Sequence, residues 1–181
     1  MNLSNKAAAI NDQIDSRAES DHQFLSFRLG DEEYGVEILR VREIIGIIDI
    51  TSLPQTPEYV KGVINLRGKI IPVIELRRKF GLPSIEFDEA TCIIVVEVMV
   101  GEDQFQVGII VDTVSEVLPI PPEDIEPAPR FGDSLNTEVI QGMGKTRDRV
   151  VILLDLDRVL TGAAGELHAT LGGDAAEREA A

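Results

Sequence analysis

The second half of this chain repeats the first, and that duplication limits the folds open to it. Residues Val60 to Phe80 (VKGVINLRGKIIPVIELRRKF) align without a gap on Ile140 to Leu160 (IQGMGKTRDRVVILLDLDRVL). Gly62 falls on Gly142, Ile70–Ile74 on Val150–Leu154, Glu75 on Asp155 and Arg78 on Arg158. Upstream, LGDEEYGVEILRVREII from Leu29 has a looser partner in VGEDQFQVGIIVDTVSEVL from Val100, with a two-residue insertion. Two copies of one small unit predict two similar lobes sharing an interface, each too short to house a large active site. That shape suits a connector better than an enzyme.

The local pattern within each copy is that of strands. Tyr34, Val36 and Ile38 alternate with Gly35 and Glu37, and Phe105, Val107, Ile109 and Val111 alternate likewise. Gly30-Asp31 and Gly101-Glu102-Asp103 precede these runs as hairpin turns. Ile70–Ile74, Val150–Leu154 and Cys92–Val100 are apolar segments of strand length. Each copy ends on a carboxylate, Glu75 or Asp155, followed by a short helical run closed by Gly81 or Gly162. Five prolines between Leu118 and Glu138 predict an exposed, stiff connection. About five short strands per copy predict an all-β fold of small barrels, with short helices ending each repeat.

Residues 1–21 and 166–181 read as flexible tails, although Ala7–Ile14 could form a short amphipathic helix. The folded part is expected over residues 22–165, with lobe one at about 22–85 and lobe two at about 86–165.

Composition excludes several functions. A formal net charge of −15 disfavours nucleic acid and anionic membranes, because phosphate contacts need Lys and Arg. No apolar run approaches a membrane span, so direct membrane insertion is not expected and a soluble, cytoplasmic protein is. Cys92 stands alone in an apolar run and reads as a buried thiol. The two histidines, His22 and His168, lie near the chain ends with no triad or zinc set around them. Gly144-Lys145-Thr146 lacks the first glycine of a P-loop, since Val139 stands there; the matching Leu66-Arg67-Gly68 marks a turn instead. Asp155-Leu156-Asp157 could offer two carboxylates to a cation. The other copy has Glu75-Leu76-Arg77, so one carboxylate is replaced by a cation in the same structural role. No catalytic residues, cofactor or metal are expected.

Two features point to surface. Arg67, in a tight turn between apolar strands, could fork onto the Glu43 carboxylate, or form a plain exposed ion pair worth ~0–1 kcal/mol. The stretch Val36–Ile45 carries large apolar residues on more than one face. Either they form a protein-binding face or the two lobes bury each other there.

The strings FxLGDEEYGVEILRVREI, GVINLRGKIIPVIELRRKFG, GIIVDTVSEVL and RVVILLDLDRVL closely resemble the CheW family of bacterial chemotaxis coupling proteins, from about Gln23 to Leu160. The resemblance implies two five-stranded SH3-like β-barrels packed together, without enzymatic activity. At this length it implies a stand-alone coupling domain, a monomer in isolation, with no kinase or receiver domain. Its implied role is to link the cytoplasmic tips of methyl-accepting chemoreceptors to the regulatory domain of the histidine kinase CheA, in arrays at the inner face of the membrane. A chemosensory pathway with a non-taxis output is the alternative. Carried over residue by residue, the receptor-binding positions are Ile38, Val41, Glu43, Gly62, Arg67, Ile109 and Val111. The kinase-binding positions are Val114 and Val117. The stretch Glu97–Gly101 is longer than the family pattern and implies an altered hairpin in one lobe.

Overall fold

The computed structural model describes residues 3–15, 22–128 and 139–160. A helix α1 (Leu3–Asp15) precedes the strands β1 (Gln23–Leu29), β2 (Glu32–Glu37), β3 (Val41–Gly46), β4 (Val60–Leu66) and β5 (Lys69–Glu75). The short helix α2 (Leu76–Lys79) leads to β6 (Cys92–Val100), β7 (Asp103–Val111), β8 (Thr113–Pro119), the two-residue β9 (Ile125–Glu126), β10 (Ile140–Thr146) and β11 (Arg149–Leu154). Residues 156–160 are helical, so both copies end on a short helix; the expected closure at Gly162 lies outside the described residues.

The strands form two sheets, ordered β8-β1-β2-β11-β10-β9 and β3-β6-β7-β5-β4. The first has six strands, where five are expected, because the segment after Pro122 adds β9 beside β10. Its counterpart in the other sheet is only a single bridge, Thr51 to Val63. Part of the proline-rich connection is therefore ordered: Ile120 is buried against Phe24, Val151 and Leu153.

The expected lobe boundary near residue 85 does not survive. Hairpin β1–β2 of the first copy joins β10 and β11 of the second through a parallel pairing, Tyr34 with Ile152 and Gly35 with Leu153. Hairpin β6–β7 of the second copy joins β4 and β5 of the first in the same way, Val73 with Gly108 and Ile74 with Ile109. The two copies have exchanged hairpins. The cause lies in the links that follow them: the 3-10 turn Ile38–Arg40 after β2, and the single residue Asp112 after β7. A one-residue link cannot close a two-residue hairpin, so the chain turns a corner into the other sheet instead.

Each corner is pinned by an ion pair, and the two clamps carry inverted charges. Arg77, just after β5, forks onto Asp112 (Nε–Oδ1 2.7 Å, Nη2–Oδ2 2.6 Å), while the Gly30 N–H donates to the same carboxylate at 2.8 Å. At the aligned place after β11, Asp157 accepts from Arg40 at 3.1 and 2.6 Å and from the Met99 N–H at 2.9 Å. The cation-for-carboxylate replacement noted at Arg77 and Asp157 is thus a reversed clamp of the same kind. Asp155 does accept from the Arg158 N–H at 3.2 Å, as a helix-start carboxylate should. Glu75 does not cap α2; it is buried, accepts from the Ser84 hydroxyl and lies 3.9 Å from Lys61 Nζ.

Burial alone would raise the Asp112 pKa, but the Arg77 hydrogen bonds, the Gly30 N–H and the Arg77 charge outweigh it and hold the carboxyl below its usual value. A carboxylate depressed in the folded state stabilises the fold above its unfolded pKa of about 3.9. We therefore expect the Asp112 contribution to be intact at neutral pH and lost as pH falls below about 4 through the folded pKa. Acid titration of the Asp112→Asn variant beside the native chain checks this: the variant should lose less stability over that window, and parallel curves would refute it.

Apolar packing is divided three ways. One cluster fills the curl of the β3-to-β4 sheet, with Ile64, Ile71, Val73, Ile93, Val95 and Ile110. The matching cluster of the other sheet holds Phe24, Ile120, Val151 and Leu153. The largest lies in the seam between the sheets. Val73 and Leu153 face their own curls while their neighbours Ile74 and Leu154 face the seam, so the duplication is repeated side chain by side chain.

The N-terminal segment departs from the expected flexible tail. Helix α1 packs on the edge strands β3 and β8, with Ala7, Ile10 and Ile14 buried in the seam cluster. Those three positions share one helical face, which is why the segment folds onto the seam. The flexible-tail reading of residues 166–181 lies outside the described residues.

Candidate protein-docking site

The β4–β5 turn places Arg67 and Gly68 at positive φ (54° and 85°), the backbone of a two-residue hairpin whose twist suits its strands. Asn65 Oδ1 accepts from the Gly68 N–H at 2.8 Å and fixes the turn. Arg67 then reaches β3, at the opposite edge of the same sheet, and forks onto Glu43: Nη1–Oε1 2.5 Å and Nη2–Oε2 2.9 Å. The pair joins the two edges of the curled sheet. Arg67 remains 72% exposed, against 22% for Glu43. The Glu43 hydrogen bond, then its charge, raises the Arg67 pKa further, so the guanidinium stays cationic. The fork is found, and with Arg67 mostly in solvent it is at the same time an exposed ion pair, so both readings open for Arg67 hold.

The remaining expected receptor positions do not line an open groove. Ile38, Val41, Ile109 and Val111 are buried in the seam cluster, as is the expected kinase position Val114. Val117 is half-buried against the same cluster. Of the apolar surplus in Val36–Ile45, Val36, Ile38, Val41 and Ile44 are buried in the seam cluster, Ile45 packs on the curl of its own sheet, and Leu39 stays 48% exposed. Gly62 is also buried, and its role is a close approach: a Cβ there would sit 2.1 Å from the Thr51 carbonyl oxygen.

Duplication predicts a second rim, and one exists. Glu116 aligns with Glu43, and it accepts from Arg149 Nη2 at 2.7 Å, with Glu33 lying 3.3 Å from the same guanidinium. The alignment of Glu116 with Glu43 was the signal for this pair. Asn11, which holds α1 to β3, had no comparable signal.

No catalytic constellation appears among the described residues. Two clefts, of about 200 and 560 Å³, have polar linings: Arg40 pairs with Asp157 and Gln141 with Glu37 in one, and Arg149 pairs with Glu116 in the other. No group of three His, Cys, Asp or Glu among the described residues is placed to hold a metal ion. Burial pushes the Cys92 thiol up to about 12, against a smaller lowering by the Val114 backbone, so it stays protonated and unreactive. No described helix is long and apolar enough to cross a membrane.

Two curled sheets around a shared seam, with ion-paired rims, define a duplicated β-rich domain. The chain matches the CheW-like domain family over residues 23–164 and belongs to that family. It is 45% identical over 139 residues to the chemotaxis protein CheW of Klebsiella aerogenes, covering 77% of this chain and 81% of that one. Identity to the Helicobacter pylori chemotaxis protein CheW is 40% over 138 residues, covering 76% and 81%. The crystal structure of the scaffolding protein TtCheW from Thermoanaerobacter tengcongensis superposes with a TM-score of 0.69 at 38% identity, covering 77% of this chain and 92% of that one. This chain is accordingly a non-enzymatic scaffold of chemotaxis signalling.

Proposed function

We propose that this scaffold couples methyl-accepting chemoreceptors to the kinase CheA, and that a receptor tip docks against the rim built by Glu43 and Arg67. The observation that carries this reading is a fully forked ion pair with its guanidinium mostly in solvent, held on a rigid turn. Such a charge contributes little to folding, yet it can orient an incoming helix. A receptor tip is a helical hairpin, and a helix laid against a rim and seam is a recurrent recognition mode. The kinase regulatory domain is assigned to β8, the strand of Val114 and Val117, where Glu116 is exposed. Because Val114 is buried, that contact would use the outward side chains of the strand. Binding receptor and kinase together raises effective concentration, so modest separate affinities suffice to recruit the chain to arrays at the membrane.

Arg67→Ala and Glu43→Ala should leave circular dichroism and the melting temperature almost unchanged, within the ~0–1 kcal/mol of an exposed pair. Each should weaken receptor-hairpin binding about tenfold, or about 1.4 kcal/mol, in calorimetry. Loss of folding in either variant would make the pair structural and remove the docking role.

A further inference from the structure

Strands β3 and β8 are the outer edges of their sheets, where backbone groups lack a neighbouring strand. Helix α1 crosses both. Asn11 Oδ1 accepts from the Ile44 N–H at 3.0 Å and its Nδ2 donates to the Ile44 carbonyl at 3.2 Å, so one amide imitates a neighbouring strand. Lys6 Nζ donates to the Val114 carbonyl at 3.2 Å on the other edge. Beside these anchors Ala7, Ile10 and Ile14 join the cluster that contains Val41, Ile44, Ile109, Val111 and Val114.

By itself α1 is a poor helix. Thirteen residues is close to the shortest length at which an isolated helix survives in water, roughly 12–15 residues. Its first turn has no acidic residue and its last turn no basic one, while Asp12 and Asp15 sit toward the carbonyl end. That arrangement opposes the helix dipole. Docking therefore supplies its stability, through Ala7, Ile10 and Ile14 together with polar anchors that include Lys6 and Asn11.

We infer that α1 is a detachable latch: it occupies the seam between β3 and β8, and an amphipathic helix of the receptor hairpin takes its place when the hairpin binds. This rests on the docking reading above. A seam that seats one amphipathic helix, with apolar side chains at i, i+3 and i+7, has the shape to seat another. It also reconciles the burial of Val41, Ile109 and Val111 with a receptor site at the neighbouring rim, because those side chains lie in the cluster that α1 closes.

The test is calorimetric titration of the purified cytoplasmic helical hairpin of a methyl-accepting chemoreceptor into the full native chain, Asn11→Ala and Ile14→Ser. Amide exchange is followed over residues 3–15 and at Ile44. A latch open about a tenth of the time lowers apparent affinity about tenfold, so Ile14→Ser should bind up to tenfold tighter than the native chain. Asn11→Ala should shift the same way by a smaller factor; it removes only the edge contacts and serves if Ile14→Ser does not fold. Saturation with the hairpin should speed exchange throughout residues 3–15. Hairpin binding that depends on Arg67 but leaves α1 as protected as before would overturn the latch alone, as would folded variants that bind no tighter than the native chain. No binding by any of the three chains would overturn the docking reading, and the latch with it.

Discussion

Gly62→Ala is expected to lower the melting temperature by about 6–12 °C, corresponding to a loss of about 3 kcal/mol. Gly62 has φ +148°, a conformation that side-chain-bearing residues rarely adopt, at the bulge where β4 slips against β5 between Val60 and Gly62. A Cβ there would lie 2.1 Å from the Thr51 carbonyl oxygen and 2.7 Å from its carbon. That carbonyl accepts from the Val63 N–H at 2.9 Å and cannot retreat without breaking the bridge that curls the sheet. Gly46→Ala is the control, with nothing within 4 Å of its Cβ, and should change stability by less than ~0.5 kcal/mol. At the aligned Gly142, which has no positive φ, the added Cβ meets Ile125 Cγ2 at 2.7 Å and the Glu126 carbonyl oxygen at 3.1 Å, so Gly142→Ala should fall between the two. If Gly62→Ala melts like the native chain and loses only receptor binding, Gly62 is a contact residue and the backbone account fails.

The second large effect concerns Ile109. Its side chain is fully buried in the seam, where β7 crosses between β6 and β5. Ile109→Ala should cost about 2–5 kcal/mol in urea or guanidinium unfolding, the range for an emptied core site. Full stability with binding abolished would mean that Ile109 meets the partner directly, in a form with the seam open.

The duplication was legible in the chain and its consequences reach far: bulges fall between Val60 and Gly62 and again between Ile140 and Gly142. The Glu43–Arg67 fork was legible too, because a short Arg-Gly turn fixes where the guanidinium can go. Strand exchange was not. Alternation tells which residues share a face, but not which distant strand lies alongside, and Tyr34 pairs with Ile152 across most of the chain. Burial of Ile38, Val41 and Ile109 escaped for a related reason. Each sheet is covered on both faces, one by its own curl and one by the seam, so an apolar surplus did not signal exposure. Helix α1 was half visible, since three apolar side chains among Asn, Asp and Ala suggest a helix without naming its dock.

The exchange of hairpins between the two copies bears on how the molecule is made. On a ribosome, β1 and β2 emerge early, but β11, their parallel neighbour, comes last. Until then the opening hairpin has a bare flank with nothing to cover it, a state prone to clumping. Severing the chain between β5 and β6 would give two fragments that are each incomplete, because each sheet draws strands from both.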